Sequence, residues 1–306
     1  MTVPLVERYR DRLPVGPDTP VVSLGEGSTP LLHAPHLSKL LEADVRLKWE
    51  GANPTGSFKD RGMTVAVSKA LEGGANGVVC ASTGNTAASA AAYAARAGLE
   101  CVILQPAGAV ARGKLAQAKA VGAKVEDVDG SFGEAFARAE ALAESGTHVF
   151  VNSVNPFRLE GQKTAAFELV DELGRAPDVL ALPYGGGGNT TAYALGFRES
   201  GAGFPELVAA QAAERASTYA SAIRITEPVH ADEVAAALEE SHWRLATVTD
   251  EEVAAAAGVL GIFEGVFCEP ASAAGVAALL QERPPAGSLV VCVITGHGLK
   301  DPDAVA

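Results

Sequence analysis

Residues 77–106, GVVCASTGNTAASAAAYAARAGLECVILQP, place an alanine-rich segment between two short apolar runs. The runs GVVCAS (77–82) and CVILQP (101–106) carry no charge, which is typical of strands buried on both faces. The segment between them, 86–97, has the alanine content of a tightly packed helix. The stretch therefore predicts a strand, a helix and a second strand of a parallel sheet.

The same alternation continues along the rest of the chain. Runs rich in valine and isoleucine predict strands at 45–50, 77–82, 101–106, 123–129, 148–153, 178–184, 207–212 and 289–296. Alanine-rich stretches predict helices at 60–71, 86–97, 110–121, 131–144, 159–173, 190–198, 250–258 and 271–281. The pattern predicts an α/β fold with doubly wound, mostly parallel sheets. In such sheets ligands bind beyond the carboxyl ends of the strands.

Composition narrows the class of protein. The chain has 306 residues, 48% of them hydrophobic, which is enough for a core in one large or two moderate domains. The net charge of −13 disfavours nucleic acid as a partner. With no apolar run of about 18 residues and no signal peptide, we expect a cytoplasmic protein that does not contact membranes. The cysteines lie in strand-like contexts without metal-ligand spacing, so we expect buried thiols and no metal site.

A lysine stands at an element boundary in NPTGSFKDRGM, residues 53–63. Lys59 follows a small, glycine-containing turn and precedes a predicted helix, where a solvated lysine gains nothing from its neighbours. A lysine amine held in such a place can form a Schiff base with a carbonyl cofactor.

The loop after the strand at 77–82 is rich in polar groups: Ser82, Thr83, Gly84, Asn85 and Thr86 open the next helix. Hydroxyls, an amide and free N–H groups at a helix N-terminus can hold a carboxylate or phosphate. The alternative is ordinary capping of the helix by Ser82, Thr83 or Thr86. Four polar side chains in five positions are more than a cap requires, which favours the anion site.

Four consecutive glycines, Gly185 to Gly188, follow the strand at 178–184. They let the backbone approach a bulky anion and direct N–H groups at it. Asn189 is not the lysine of a P-loop, and Thr190 is not the glycine of a dinucleotide fingerprint. The alternatives are a flexible linker or a phosphate cup that lacks a charged side chain. The position between a strand and a helix favours the cup, of the kind that holds the phosphate of pyridoxal phosphate.

A hydroxyl follows the last predicted strand, in VVCVITGHGLKD (290–301). Thr295 at the carboxyl end of that strand can bond a heterocyclic nitrogen, although a threonine that stabilises a turn fits equally well.

Together with EGSTPLL (26–32), VNSVNPFRLEGQKTAAFE (151–168) and EPASAA (269–274), these stretches resemble the threonine synthases in content and order. That family is part of the tryptophan synthase β-like group, fold type II, of enzymes that use pyridoxal 5'-phosphate. The resemblance extends over nearly the whole chain. It implies a lyase that makes L-threonine and phosphate from O-phospho-L-homoserine and water, the last step of threonine biosynthesis.

The resemblance also implies roles for individual residues. Lys59 forms the Schiff base with the cofactor and, once released, shuttles protons. Asn85 bonds the phenolic oxygen of the cofactor, and Thr295 faces its pyridine nitrogen. The cofactor phosphate is held by the glycine loop, namely Gly185, Gly186, Gly187, Gly188, Asn189 and Thr190. The substrate is held by Ser82, Thr83, Thr86, Asn152, Ser153 and Arg158, of which the last three bind its phosphate.

Two departures from the family pattern bear on the substrate. Related threonine synthases read G-N-A-G-N at the cup, whereas this chain has Gly186 in place of the first asparagine. The segment from Gly196 to Ile225 is also shorter than in typical members. A glycine run occurs in serine and threonine dehydratases, so a dehydratase-like ammonia-lyase is the alternative function. Its substrate carries no phosphate, which would leave Arg158 without a partner.

For the domain organisation we expect a smaller α/β domain at 51–150, with Lys59 and the STGNT loop (residues 82–86). Residues 1–50 and 151–306 are expected to form a larger domain with the glycine cup and Thr295. The cofactor would lie between the two domains. The resemblance further suggests a homodimer.

Overall fold

The computed structural model describes residues 3–108, 112–241 and 244–304. Its strands are β1 (Leu31–His33), β2 (Asp44–Trp49), β3 (Gly77–Ala81), β4 (Glu100–Pro106), β5 (Lys124–Val128), β6 (His148–Phe150), β7 (Val179–Pro183), β8 (Glu206–Ala212), β9 (Arg244–Val248) and β10 (Leu289–Ile294). Its helices are α1 (Leu5–Arg8), α2 (Pro35–Leu41), α3 (Lys59–Glu72), α4 (Asn85–Ala97), α5 (Arg112–Ala120), α6 (Phe132–Glu144), α7 (Pro156–Leu173), α8 (Gly188–Ser200), α9 (Ala231–Ser241), α10 (Asp250–Glu264) and α11 (Ala274–Gln281).

The chain divides into two compact units. Unit 1 consists of residues 1–27, 53–55 and 59–162, and unit 2 consists of residues 28–52, 56–58 and 163–306. The expected domains differ from these units mainly at residues 1–27 and 151–162. Residues 1–27 belong to unit 1 because this segment bonds to α3, where Thr64 Oγ1 donates to Val22 O and Val22 N–H donates to Ser68 Oγ. As a division into functional domains, the predicted boundaries remain a prediction.

Unit 1 is built on a parallel sheet with the strand order β5-β4-β3-β6. Buried apolar side chains cover both faces of the central strand β3. Val78 and Cys80 belong to one core cluster, and Val79 and Ala81 belong to another. This is the arrangement expected from an uninterrupted apolar strand between helices.

Unit 2 is built on a six-stranded sheet with the order β1-β2-β10-β7-β8-β9. All neighbouring strands are parallel except β1, which runs antiparallel to β2 at the edge. The core covers both faces of β10, where Cys292 belongs to one cluster and Val291 and Val293 to another. The predicted α/β class with mostly parallel sheets is therefore confirmed.

Every predicted strand and helix has a counterpart, but the sequence pattern missed several short or exposed elements. The predictions omitted α1, α2, α9, β1 and β9. β9 alternates between buried and exposed positions at the sheet edge, so it lacks the continuous apolar run used to identify strands. The first two residues of the helix predicted at 110–121 lie outside the described residues. No helix that the structure describes is both long and apolar enough to span a bilayer.

Candidate active site

In unit 1, Lys59 is the first residue of α3 and is half-buried. The next residue, Asp60, is fully buried, and its carboxylate accepts three hydrogen bonds. Thr55 donates from its backbone N–H (2.7 Å) and its hydroxyl (2.6 Å), and Ser89 Oγ donates at 2.6 Å. Since Ser89 lies on α4, the carboxylate fixes the first turn of α3 to the helix that follows the STGNT loop.

The environment of Asp60 acts on its pKa in two directions. Burial disfavours the charged form and raises the pKa to about 6, while the bonds from Ser89 and Thr55 oppose that rise. At neutral pH the carboxylate is thus ionised and depends on these donors. The sequence pattern indicates no role for Asp60, although this residue stands directly after Lys59.

The STGNT loop connects β3 to α4. Gly84 is the N-cap residue of α4 and makes no side-chain cap bond. Ser82 supplies that function instead, because its Oγ accepts from the N–H groups of Gly84 (3.1 Å) and Ala87 (3.3 Å). Among the described residues, the half-buried hydroxyls of Thr83 and Thr86 form no hydrogen bond. Ser82 therefore caps the helix, and the anion site stays a prediction for which the hydroxyls of Thr83 and Thr86 are available.

Asn152 follows β6, the strand that pairs with β3. Its side chain is buried, and it both accepts from Ala81 N–H (2.9 Å) and donates to Ala81 O (2.8 Å). The amide therefore continues the β3–β6 pairing by one residue and fixes the start of the STGNT loop. One Nδ2 hydrogen is left over from these two bonds. The predicted contact of Asn152 with substrate remains a prediction, as does that of the half-buried Ser153.

Arg158 lies in the first turn of α7 and is completely buried. Its Nη1 donates to Val151 O at 2.7 Å, whereas Nε and Nη2 have no hydrogen-bond partner among the described residues. Burial lowers the pKa of the guanidinium to about 10, so it is still a cation at neutral pH. A Cβ added at Gly62 would lie 2.7 Å from Arg158 Nε, so only glycine fits where α3 passes α7.

Unit 1 thus brings together the residues that the sequence predicted in it. β3 and β6 are parallel neighbours, so the STGNT loop and the segment from Asn152 to Ser153 leave the same edge of the sheet. Asp60 and Gly62 place the first turn of α3 beside α4 and Arg158, respectively. Around that edge lie several hydroxyls and a buried arginine with unused donors, and Lys59 begins the helix whose first turn is bonded to α4.

In unit 2, the glycine loop joins β7 to α8. Gly187 is the N-cap residue of α8 with φ +88°, and a Cβ there would lie 2.9 Å from His230 O. Both facts require glycine at this position. Three buried polar atoms at the start of α8 have no partner among the described residues: Asn189 Nδ2, Thr190 Oγ1 and Thr191 Oγ1. Unpartnered buried polar groups at a helix N-terminus can bind an anion.

The strand order of unit 2 places Thr295 beside the glycine loop. β10 and β7 are parallel neighbours with Cys292 opposite Ala181, so Thr295 and Tyr184 leave the sheet side by side. Thr295 Oγ1 lies 2.9 Å from Ser272 Oγ, which also accepts from Gly296 N–H at 2.8 Å. Ser272 therefore orients the Thr295 hydroxyl. The motif EPASAA contained this serine, but the sequence alone assigned it no role.

The structure also places a cation at the glycine loop, where the sequence predicted a phosphate cup without a charged side chain. Arg215, which follows β8, donates from Nη2 to Gly185 O. It lies 30 residues from the glycine loop, so no local motif could connect the two.

The charge of Asp60 gives a testable consequence for stability. Because the folded pKa lies above the ordinary 3.8, ionisation of Asp60 lowers the free energy of unfolding as pH rises from about 4 to 6. Ser89→Ala removes a donor to the ionised form. We expect it to lower the free energy of unfolding by about 2 kcal/mol at pH 8 and by clearly less at pH 5.

Urea denaturation at the two pH values measures this difference. Ser200→Ala is the matched control, because the Ser200 hydroxyl donates to the carbonyl of Phe197 and accepts from Ala202 N–H, and neither group titrates. An equal effect of Ser89→Ala at both pH values would contradict the assigned role of the Asp60 carboxylate.

Comparison with known proteins places these features in a family. Residues 22–296 match the model of the family described as pyridoxal-phosphate dependent enzyme. The chain is 53% identical to the threonine synthase of Synechocystis sp., over 98% of this chain and 84% of that protein. It is 48% identical to the threonine synthase of Halalkalibacterium halodurans, over 98% of this chain and 90% of that protein. These alignments span 319 and 318 positions, so both relatives have residues without a counterpart here.

The fold is also similar to a solved structure with a different name. A threonine deaminase from the organism abbreviated T.th. is 26% identical, with a TM-score of 0.74 over 96% of each chain. The fold is thus shared by enzymes of different names, and the match over residues 22–296 is what assigns the family. The chain belongs to the family of pyridoxal-phosphate dependent enzymes.

Proposed function

We propose that this chain catalyses the threonine synthase reaction, in which O-phospho-L-homoserine and water yield L-threonine and phosphate. The observation that carries the proposal is the buried guanidinium of Arg158, with two donor atoms that have no partner in the described part of the chain. Asp60 attracts this guanidinium electrostatically but takes no hydrogen bond from its two unused donor atoms, which can bind a substrate phosphate. Relatives at 48% and 53% identity bear the name threonine synthase.

The residues present fit pyridoxal 5'-phosphate as cofactor. The unsatisfied polar atoms of Asn189 and Thr190 at the N-terminus of α8 suit its phosphate. In this proposal Lys59 holds the cofactor covalently, Asn85 bonds its phenolic oxygen, Gly185 to Thr190 hold its phosphate and Thr295 faces its ring nitrogen. When bound, the cofactor supplies an electron sink for deprotonation at substrate carbon atoms.

The remaining predicted residues bind and orient the substrate. Ser82, Thr83 and Thr86 stand at the N-terminus of α4, where the helix dipole favours the substrate carboxylate. Arg158, with Ser153 and the remaining amide hydrogen of Asn152, binds the phosphate that leaves from the γ-carbon. The Lys59 amine moves the protons that must leave and return as water adds at the β-carbon.

The alternative function is a dehydratase-like ammonia-lyase acting on serine or threonine. Two observations support that alternative: the fold is shared with a threonine deaminase, and position 186 is a glycine. A Cβ at Gly186 would touch only Ile225 Cδ1, at 3.4 Å, and the φ of this residue is not positive. The backbone therefore does not demand glycine there. Arg158 favours the threonine synthase reaction, because a substrate phosphate would accept from its two unused donor atoms and an unphosphorylated substrate offers no phosphate.

The first test is direct. The purified protein, loaded with pyridoxal phosphate, is expected to release equal amounts of phosphate and L-threonine from O-phospho-L-homoserine. Borohydride reduction followed by peptide mapping should mark Lys59. Lys59→Ala should remove both the label and the activity, because no other amine replaces the covalent link. A label on another lysine would overturn the assignment of Lys59, and release of ammonia from serine without phosphate release would favour the alternative.

A second test separates the two enzyme functions through Arg158. Arg158→Met keeps most of the buried volume and removes the charge. We expect kcat/KM for O-phospho-L-homoserine to fall about 100-fold, the loss of roughly 3 kcal/mol from a charge-assisted contact. Cofactor content should be unchanged, since the glycine loop holds the cofactor phosphate separately. Any side activity on L-serine or L-threonine should barely change.

Arg96→Met serves as the matched control for the second test. Arg96 is an exposed arginine of α4 whose Nε donates to Ser23 O. Its removal should leave kcat/KM near the wild-type value. If the wild type ignores O-phospho-L-homoserine and Arg158→Met alters nothing, the dehydratase-like function replaces the one proposed.

We also propose that the chain acts in the cytoplasm as a homodimer and binds no nucleic acid. The net charge of −13 supports the last point. Exposed apolar side chains in unit 2 support a second copy as partner. Ile262 and Phe263 at the end of α10 are 78% and 55% exposed, and the Phe263 ring stacks on His36 at 4.2 Å. Sedimentation velocity should give the mass of a dimer, and Ile262→Asp should shift it toward the monomer.

A further inference from the structure

Arg215 forms an unusual set of contacts in unit 2. Its guanidinium lies over the ring of Tyr184, with Cζ 4.9 Å from the ring centroid, and Nη2 donates to Gly185 O. Nη1 lies 3.4 Å from Gln211 Oε1. Nε is buried and has no hydrogen-bond partner within the described ranges of the chain. The acceptors that this half-buried cation does have are therefore neutral.

No carboxylate in the described part of the chain forms an ion pair with Arg215. The adjacent Glu214 accepts instead from Ser217 Oγ at 3.0 Å. A cation withdrawn from water without an anion is unfavourable, and such residues mark sites where an anion completes the balance. The nearest structure that could hold an anion is the glycine loop to which Arg215 is bonded.

The geometry of the peptide group connects Arg215 to that loop. In a trans peptide the C=O and the N–H point in opposite directions across one rigid plane. Arg215 binds the carbonyl of Gly185, so it orients the N–H of Gly186. His230 N–H donates to Gly186 O at 3.1 Å and orients the N–H of Gly187 in the same way. The N–H groups of Gly186 and Gly187 therefore point away from Arg215 and His230, which bind the carbonyls of the same two peptides.

We propose that Arg215 is a positioning residue for the cofactor phosphate and acts on it through the Gly185–Gly186 peptide. The cation donates to the carbonyl at one end of this peptide, and a phosphate oxygen accepts from the N–H at the other end. A hydrogen-bond chain with a cation at one end and an anion at the other strengthens both bonds. Arg215 thereby supplies the positive charge that the cup itself lacks. The inference rests on the proposed cofactor role of the cup and is independent of the substrate.

The test compares two ligands that differ only in the phosphate. Protein stripped of cofactor is titrated with pyridoxal phosphate and with pyridoxal, and the absorbance change on binding gives both dissociation constants. Arg215→Gln should raise the dissociation constant for pyridoxal phosphate about tenfold, which corresponds to about 1.4 kcal/mol. The constant for pyridoxal should stay the same, because pyridoxal has no phosphate for the peptide to bind. Arg215→Lys, which retains the charge, should recover part of the loss.

Arg224→Gln is the matched control. Arg224 lies in the same segment and also donates to a backbone carbonyl, that of Thr218, at 2.8 Å and 3.2 Å, but not to the cup. It should bind both ligands like the wild type. Unchanged affinity of Arg215→Gln for pyridoxal phosphate would overturn the proposal, as would an equal loss for both ligands. Because the readout is cofactor binding, failure of the substrate assignment alone would leave this result intact.

Discussion

The parallel direction of neighbouring strands is the constraint on which each candidate site depends. In a parallel sheet all the carboxyl ends meet at one edge, so loops distant in sequence become neighbours. In unit 1 this places the STGNT loop after β3 beside the residues after β6. In unit 2 it places the glycine loop after β7 beside Thr295 after β10. Neither neighbourhood needs any specific contact between the loops to form, because the backbone ladder alone sets the spacing.

Charged side chains withdrawn from water distinguish the candidate sites of the two units. Asp60 is ionised at neutral pH although buried, because hydroxyl and amide donors surround it. Arg158 is buried with unused donors, and Arg215 is half-buried among neutral acceptors. By contrast, the buried Lys48 of unit 2 pairs with Glu168 at 3.0 Å. Lys48 is thus paired within the fold, whereas Arg158 and Arg215 keep donor atoms that are available to bind an anion.

Some of the predicted roles are divided differently by the structure. Ser82 caps α4, and a role in binding substrate stays a prediction for Thr83 and Thr86. Asn152 uses its side-chain oxygen and one Nδ2 hydrogen to bond the backbone of Ala81, so its side chain fixes the start of the STGNT loop. Residue type and position in the sequence identify which loops contribute to a site, because the loops that follow parallel strands all lie at one edge of the sheet. They do not reveal which polar group is already used by the backbone, since for Asn152 that depends on a partner 71 positions away.

The sequence by itself determined the fold class, the family and the segments of the candidate site. Apolar strands buried on both faces, a lysine at an element boundary and a glycine run between a strand and a helix are local patterns. Lys59 and Gly185 to Gly188 could therefore be singled out without a structure. The tertiary structure alone decided which residues support them. Ser89 meets Asp60, Ser272 meets Thr295 and Arg215 meets Gly185 across 29, 23 and 30 positions of the chain. Such contacts are set by helix packing and strand order, and a serine or arginine that makes one has no local signature.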